Sequence, residues 1–192
     1  KPNLGLKAKE DAMSDQNMPI EEFENTRVAR FKDLKSSKLP LLDAVIPGCE
    51  REIYNIIGRG VSEDRNHHVP ITDNQGFNVC VVECEPGKGT LHHDHETIEA
   101  FMPLSGKWKI FWGDDEDTYH VIVEKFDTVS VPIGAMRGFR NVGDEKAMLM
   151  VTVGGTNPGK CGWHKNVVAE AERRGYELAE DGNLAQTGTA AE

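Results

Sequence analysis

Alternation of apolar and polar positions predicts short β-strands through the middle of the chain. Residues 76–87, GFNVCVVECEPG, alternate between two rather apolar faces and end at proline and glycine, as a strand does. In residues 107–112, KWKIFW, tryptophan and isoleucine alternate with lysine. The acidic turn GDDED follows, and TYHVIVEKF then resumes a strand composition, so these segments predict a β-hairpin.

Two further segments, DTVSVP and KAMLMVTVGG, have the composition of strands. Between them we interpret IGAMRGFRNVGDE as a loop. Short strands that recur at spacings of roughly ten residues are typical of antiparallel sandwiches and barrels rather than of alternating α/β folds. The pattern therefore predicts an all-β domain.

The segments on either side of these strands have a different pattern. PIEEFENTRVARFKDL, from Pro19, has acidic residues where a short helix would have its first turn. Near the other end, NVVAEAERRG predicts a helix of about two turns, with Asn166 as the N-cap and Gly175 as the residue after the C-cap. The first residues, up to about Asn17, are polar and show no period, and we interpret them as a mobile tail.

Composition and charge narrow the class of protein. A chain of 192 residues with 38% hydrophobic content can bury one sizeable core. The net charge of -10 is spread along the chain without a basic cluster, so we expect no nucleic-acid partner. No apolar run approaches the length of about 18 residues that a membrane span needs, and no secretory leader is evident. We therefore expect a cytoplasmic protein with no membrane partner.

The four cysteines give no sign of a disulfide framework. They form no CxxC pair, and in a chain of this length we interpret them as reduced and partly buried.

The most distinctive chemistry lies in the histidine-rich stretch between Gly87 and Gly106. His93 and His95 are two residues apart, so on an extended strand both imidazoles leave the same face. Glu99 joins them if the chain bends after His95. Two neutral imidazoles and one carboxylate form a facial set of metal ligands with positions left open for a substrate. The alternative interpretation is a solvated turn in which histidines lie beside acidic residues.

The spacing of this stretch resembles the first conserved motif of the cupin superfamily, G-x5-HxH-x3-E-x6-G. Gly87, His93, His95, Glu99 and Gly106 match every defined position of that motif. The resemblance implies that the two histidines and the glutamate are metal ligands.

The second cupin motif, G-x5-PxG-x2-H-x3-N, is visible in FDTVSVPIGAMRGFRN. Pro132, Gly134 and Asn141 stand in their expected places. Phe126 stands where the motif has glycine, and Arg137 stands where it has the fourth metal ligand, a histidine. A guanidinium offers only donors and stays protonated, so the usual four-ligand site cannot form.

The resemblance implies a single RmlC-like cupin domain, a jelly-roll β-barrel with the ligand site inside. It divides the chain into N-terminal flanking elements at residues 1–50, the barrel at 51–155, and a C-terminal helix and polar tail at 156–192. Cupins often form dimers through such flanking elements, so the resemblance also implies a homodimer.

Three interpretations of Arg137 remain open at this point. In the first, the three ligands hold a divalent metal and Arg137 binds a substrate carboxylate or enolate as a catalytic residue. In the second, Arg137 pairs with Glu99 and takes the place of the metal. In the third, another histidine replaces the missing ligand, either His120 or His92.

The functional expectation follows from the first interpretation. It is a barrel that binds Fe, Mn, Zn or Ni and a small oxygenated or carboxylated substrate, as a metal-dependent oxygenase (a dioxygenase for example), lyase or isomerase. The alternative is a metal-free or non-catalytic cupin that binds a small-molecule ligand.

Overall fold

Twelve β-strands, two α-helices and short 3₁₀ turns make up the structure, a computed structural model that describes residues 17–187. Ten of the strands form two five-stranded antiparallel sheets, and the last two form a separate hairpin. In chain order the strands are β1 Glu52–Ile57, β2 Phe77–Cys84, β3 His93–His95, β4 Glu99–Pro103, β5 Lys107–Trp112, β6 His120–Glu124, β7 Val129–Val131, β8 Arg137–Asn141, β9 Ala147–Gly154, β10 Cys161–Trp163, β11 Tyr176–Leu178 and β12 Leu184–Gln186.

The two sheets face each other across one hydrophobic core, as a jelly-roll β-barrel requires. The first sheet has the order β1-β2-β9-β4-β7 and the second has the order β10-β3-β8-β5-β6. In β9 every second residue is buried, because alternate side chains of a strand point to opposite faces. The predicted all-β fold is confirmed. The large fully buried side chains of the core include Phe101, Trp108, Ile110, Phe111 and Leu149.

The predicted strands and the hairpin of β5 and β6 are present, but the predicted loop after β7 was wrong in part. Residues Arg137–Asn141 form β8, which pairs with β5 over its whole length and with β3 at His93. The sequence RGFRN contains a single large apolar residue, so its composition gives no strand signal. Pairing on both sides decides its conformation.

The flanking helices lie close to where the sequence placed them. The first, α1, covers Ile20–Arg27, and 3₁₀ turns follow at Phe31–Asp33 and Leu42–Val45. The second, α2, covers Lys165–Arg173, and Gly175 follows its C-cap with a φ of +79° as predicted. The predicted N-cap was wrong, because the ring of His164 accepts a hydrogen bond from the backbone N–H of Asn166 and caps the helix instead.

Four further expectations can be compared with the structure. The predicted N-terminal tail falls almost wholly outside the described residues. Within residues 17–187, no helix has the length and apolar character to cross a membrane. All four cysteines are free thiols. The division of the chain at residues 50 and 155 stays a prediction, and β10, beyond the second boundary, completes the edge of the second sheet.

A buried carboxylate, Glu63, ties several segments together near the barrel interior. Its Oε2 accepts a hydrogen bond from the backbone N–H of Leu42 at 2.5 Å, and its Oε1 accepts one from the indole of Trp163 at 2.8 Å. Its own backbone carbonyl accepts from the N–H of Leu184. Burial raises the pKa of Glu63 to about 7, although both side-chain hydrogen bonds act in the opposite direction.

The glycine missing from the second motif leaves a strained residue. Phe126 has a φ of +74°, and it is the one non-glycine residue with positive φ in the part of the chain that the structure describes. Its side chain is exposed, so packing contributes little at this position. The turn between β6 and β7 therefore contains a left-handed conformation that disfavours any residue with a Cβ atom.

Replacing Phe126 with glycine is expected to raise the free energy of unfolding by about 1 kcal/mol, because glycine adopts positive φ without the Cβ clash. Phe126→Ala is the matched control, since it removes the same ring but keeps the Cβ atom. Urea denaturation of both variants measures the effect. Equal stabilities of the glycine and alanine variants would show that the backbone conformation carries no strain.

Glu63 is expected to make stability fall as pH rises. Its pKa is about 7 in the folded protein against 4.5 for the free side chain, so the folded state holds a proton that the unfolded state has lost between these values. This contribution is complete below pH 4.5 and is lost as pH rises through 7, a total of about 3 kcal/mol.

Glu63→Gln removes the titrating group while keeping the side-chain length. The stability of Glu63→Gln relative to the unmodified protein should therefore increase between pH 4.5 and pH 8, as measured by urea denaturation at each pH. Groups common to both proteins cancel in this difference. A difference that stays flat across the range would contradict the raised pKa of Glu63.

Candidate metal centre

Three side chains with metal-ligating atoms converge inside the barrel. His93 and His95 leave the same face of β3 in the second sheet, and Glu99 is the first residue of β4 in the first sheet. The chain crosses between the sheets at residues 96–98, which is the bend that the sequence interpretation required. One ligand atom from each residue lies within 4.8 Å of the others, and the three residues are 3%, 2% and 4% exposed.

His93 presents its Nε2 atom as a lone-pair donor. Its Nδ1 lies 2.8 Å from the carbonyl oxygen of Leu91, which can only accept, so Nδ1 carries the proton. Burial, followed by the neighbouring His95, lowers the pKa of His93 to about 3. The imidazole is therefore neutral at physiological pH, in the form that a metal needs.

The support of His93 extends to the N-terminal segment. The backbone N–H of Leu91 donates to Oδ2 of Asp43 at 3.0 Å, and Oδ1 of Asp43 accepts from Arg51 at 2.6 Å. Both side chains of this ion pair are fully buried. The guanidinium of Arg51 also donates to the carbonyls of Cys49 and Gly89. A buried network therefore connects the 3₁₀ turn at Leu42–Val45 to the backbone that orients His93.

Glu99 is held in its ionised form. Burial alone would raise its pKa, but the hydrogen-bonding contact with His95 and the charge of Arg137 bring the pKa down to about 2. Nε2 of His95 lies 3.5 Å from Oε1 of Glu99. This atom of His95 and Nε2 of His93 are the nitrogens available on the side of the carboxylate.

Arg137 pairs with Glu99 and is itself fully buried. Its Nε donates to Oε2 of Glu99 at 2.8 Å, and its Nη1 donates to the carbonyl of Ala135 at 2.9 Å. Its Nη2 has no hydrogen-bond partner among residues 17–187. The ion pair occupies one carboxylate oxygen and leaves Oε1 toward the histidines.

The other candidate ligands do not join the cluster. His120 is exposed on the edge strand β6, and the ring of His92 packs against Phe111 with centroids 4.9 Å apart. Within the described chain, the two histidines of β3 and the glutamate of β4 are the one group of three residues placed to hold a metal.

A small cavity opens onto the three ligands. Its volume is about 50 Å³, room for about four water molecules at about 10–15 Å³ each. Arg51 and Thr90 line it, whereas Arg137 is not among the residues of the described chain that do. The role of Arg137 as the substrate-binding residue therefore stays a prediction. Most of the wall is apolar and comes from Leu41, Ile53, Val82, Phe139, Val151 and Val153.

Sequence reasoning missed the strand that lies against the histidines. In β10, Cys161 pairs with His95 and Trp163 pairs with His93. The ring of Trp163 lies 5.5 Å from that of His93, centroid to centroid. The signal available was the short alternation CGW, which is too brief to separate a strand from a loop. Glu63, which binds the indole of Trp163, had no sequence signal.

Comparison with known sequences finds a family match that covers the residues of the candidate site. A family model described as the cupin domain matches residues 80–154, which contain all three ligands and Arg137. No curated protein matches the sequence.

Solved structures resemble the fold at low identity. The polyketide cyclase RemF from Streptomyces resistomycificus is 14% identical, with 71% of this chain and 84% of that chain covered and a TM-score of 0.52. Lactobacillus farciminis oxalate decarboxylase, solved as a formate complex, is 18% identical, with 71% of this chain covered and a TM-score of 0.51.

The match to oxalate decarboxylase covers 35% of that protein, so the chain corresponds to about a third of its length. A sugar phosphate isomerase of the cupin superfamily from Silicibacter pomeroyi is 20% identical over 67% of this chain and 75% of that chain, with a TM-score of 0.49. At these identities the likeness is one of fold. Both sequence motifs and most strands of the double-sheet barrel fall on the residues of the family match, so the chain contains a cupin domain at residues 80–154.

Proposed function

We propose that this protein binds a divalent metal through His93, His95 and Glu99, and that it acts on a small oxygenated or carboxylated compound inside the barrel. The reaction class is that of a metal-dependent oxygenase, lyase or isomerase. The convergence of three buried ligand atoms within 4.8 Å of one another is the observation that carries this proposal.

The donor set fits a metal of the proposed kind. Imidazole and carboxylate ligands together suit Fe, Mn, Zn and Ni. A metal needs deprotonated ligands, and the lowered pKa values of His93 and Glu99 provide a neutral imidazole and an ionised carboxylate. Each of the three residues is less than 5% exposed, so few water molecules compete for the ligand atoms.

When bound, a divalent ion would supply Lewis acidity that polarises a substrate oxygen. The residues of the chain supply the rest. Arg137 holds the Glu99 carboxylate through one oxygen, and Leu91 holds His93 in the tautomer with Nε2 free. The apolar wall excludes bulk water from the reacting compound.

Charge and volume define the class of compound. The buried pairs Glu99–Arg137 and Asp43–Arg51 are each neutral, so a divalent ion would bring two positive charges without a counterion. An anionic or strongly polar oxygen group compensates for them. The small volume of the cavity favours a small compound. The homodimer and the cytoplasmic location implied above stay predictions.

One observation favours a second candidate, a metal-free cupin that binds a small molecule without turnover. The guanidinium of Arg137 already neutralises Glu99 at 2.8 Å, so the buried carboxylate does not need a metal to be stable. The position of Oε1 favours the metal site instead, because Arg137 leaves this oxygen facing His95 and His93, whose Nε2 atoms have no other hydrogen-bond partner in the described chain.

Protein purified without chelators is expected to contain about one equivalent of a divalent metal, measured by inductively coupled plasma mass spectrometry. His93→Ala should lose it, because two ligands hold a metal much more weakly than three. His120→Ala is the matched control, since that histidine lies exposed on another strand. Wild-type protein that neither contains nor takes up metal would favour the metal-free candidate.

Substitutions of Arg137 test whether it compensates the charge of Glu99 and whether it stands in the position of a metal ligand. Arg137→Met should lower the free energy of unfolding in EDTA by about 3–5 kcal/mol, because Glu99 then remains buried without a cation. Added Zn²⁺ should restore part of that loss, since it replaces the missing positive charge. Arg137→His, which completes the second motif, should bind Zn²⁺ more tightly than the unmodified protein.

Arg140→Met is the control for the ion pair. Arg140 lies on the same strand, and its ion pair with Glu116 at 3.0 Å is partly exposed, so its loss should cost at most about 1 kcal/mol. Urea denaturation and zinc titration measure both effects. An Arg137→Met variant as stable in EDTA as Arg140→Met would contradict the proposed support of Glu99.

A further inference from the structure

The thiol of Cys161 lies directly against the second histidine of the candidate metal centre. The antiparallel register of β10 and β3 places Cys161 opposite His95. Its Sγ atom is 3.8 Å from Nδ1 of His95, and the residue is 7% exposed. The thiol is therefore a fixed neighbour of one ligand, on the side of the ring away from Glu99.

The two histidines differ in the hydrogen-bond partner of Nδ1, the ring nitrogen away from Glu99. Nδ1 of His93 faces the carbonyl oxygen of Leu91 at 2.8 Å. Nδ1 of His95 has no hydrogen-bond partner other than Sγ of Cys161 among residues 17–187. A histidine that ligates through Nε2 carries its proton on Nδ1, and an acceptor for this proton sets the tautomer and the ring orientation.

We propose that Cys161 is a positioning residue of the metal centre: when Nε2 of His95 ligates a metal, Sγ of Cys161 accepts the Nδ1–H of that ring and holds Nε2 on the side of Glu99. This inference rests on the proposed metal-binding function. Sulfur is a weak acceptor, but no carbonyl or carboxylate competes for this proton in the described structure. Cys161 is not itself a ligand, because it lies outside the group of atoms placed to hold the ion.

A second thiol close to the candidate ligands provides a matched comparison. Cys80 lines the cavity beside the ligands but makes no hydrogen bond to any of them in the described chain. Burial keeps both thiols protonated, since it raises the pKa of Cys80 to about 12 and that of Cys161 well above its usual value. The two cysteines therefore differ in the contact with His95 and not in their charge.

The test compares the Zn²⁺ affinity of Cys161→Ala, Cys161→Ser and Cys80→Ala in the full chain, by competition with a chromophoric chelator. Removing the acceptor in Cys161→Ala should weaken the affinity about 10-fold or more, as for other partners of ligating histidines. Serine is close to alanine in size, but its hydroxyl can accept the same proton. Cys161→Ser should therefore recover most of the Zn²⁺ affinity that Cys161→Ala loses. Cys80→Ala should bind as the unmodified protein does.

A measurement on the unmodified protein covers the case in which a variant fails to fold. Long-range ¹H–¹⁵N correlation spectra of the zinc-loaded protein identify which ring nitrogen of His95 carries the proton. Nδ1–H with Nε2 bound to zinc is expected. Ligation through Nδ1 would overturn the inference whatever the variants do.

The outcomes distinguish this inference from the proposed function. Unmodified protein that binds no Zn²⁺ overturns the metal-binding function, and with it the need for a positioning residue. If the unmodified protein binds Zn²⁺ and the alanine and serine variants of Cys161 bind it equally well, only the role of Cys161 is overturned. A loss in Cys80→Ala equal to that in Cys161→Ala would indicate general packing rather than the contact with His95.

Discussion

The buried ion pair between Glu99 and Arg137 is the interaction on which the centre of this barrel depends. Glu99 begins a strand of the first sheet and Arg137 begins a strand of the second, so their contact at 2.8 Å joins the two sheets at the site. Burying a carboxylate costs several kcal/mol unless a partner compensates for the lost hydration. Arg137 supplies that compensation, and Glu99 therefore stays ionised beside two histidines.

This ion pair shows what the arginine contacts in the altered second motif. A histidine at position 137 would offer a fourth candidate ligand, whereas the arginine donates a hydrogen bond to the carboxylate of Glu99, the third candidate. It occupies Oε2 of Glu99 and leaves Oε1 toward His95 and His93. The substitution thus converts a ligand position into a supporting position. The three candidate ligands of the facial set are kept, and a metal held by three residues rather than four would have more positions open for a small molecule.

The same arrangement, a ligand held by a partner from another segment, recurs around the site. The network from Asp43 and Arg51 through Leu91 reaches His93, and β10 places Cys161 beside His95. These partners come from the N-terminal turn, the connection before β3 and the strand after β9. Segments before β1 and after β9 therefore contribute to the orientation of the candidate ligands as well as to the core.

Local patterns in the sequence determined most of the strands and the shared face of His93 and His95, because alternation involves neighbouring residues. The motif spacing also predicted that Glu99 would join the histidines. Only the tertiary structure decided that Arg137 turns to Glu99, that RGFRN is a strand, and that Cys161, Trp163 and Glu63 surround the site. The contact of Arg137 with Glu99 joins residues 38 positions apart and that of Trp163 with Glu63 joins residues 100 apart. The packing of two sheets chooses such partners, and no local pattern encodes it.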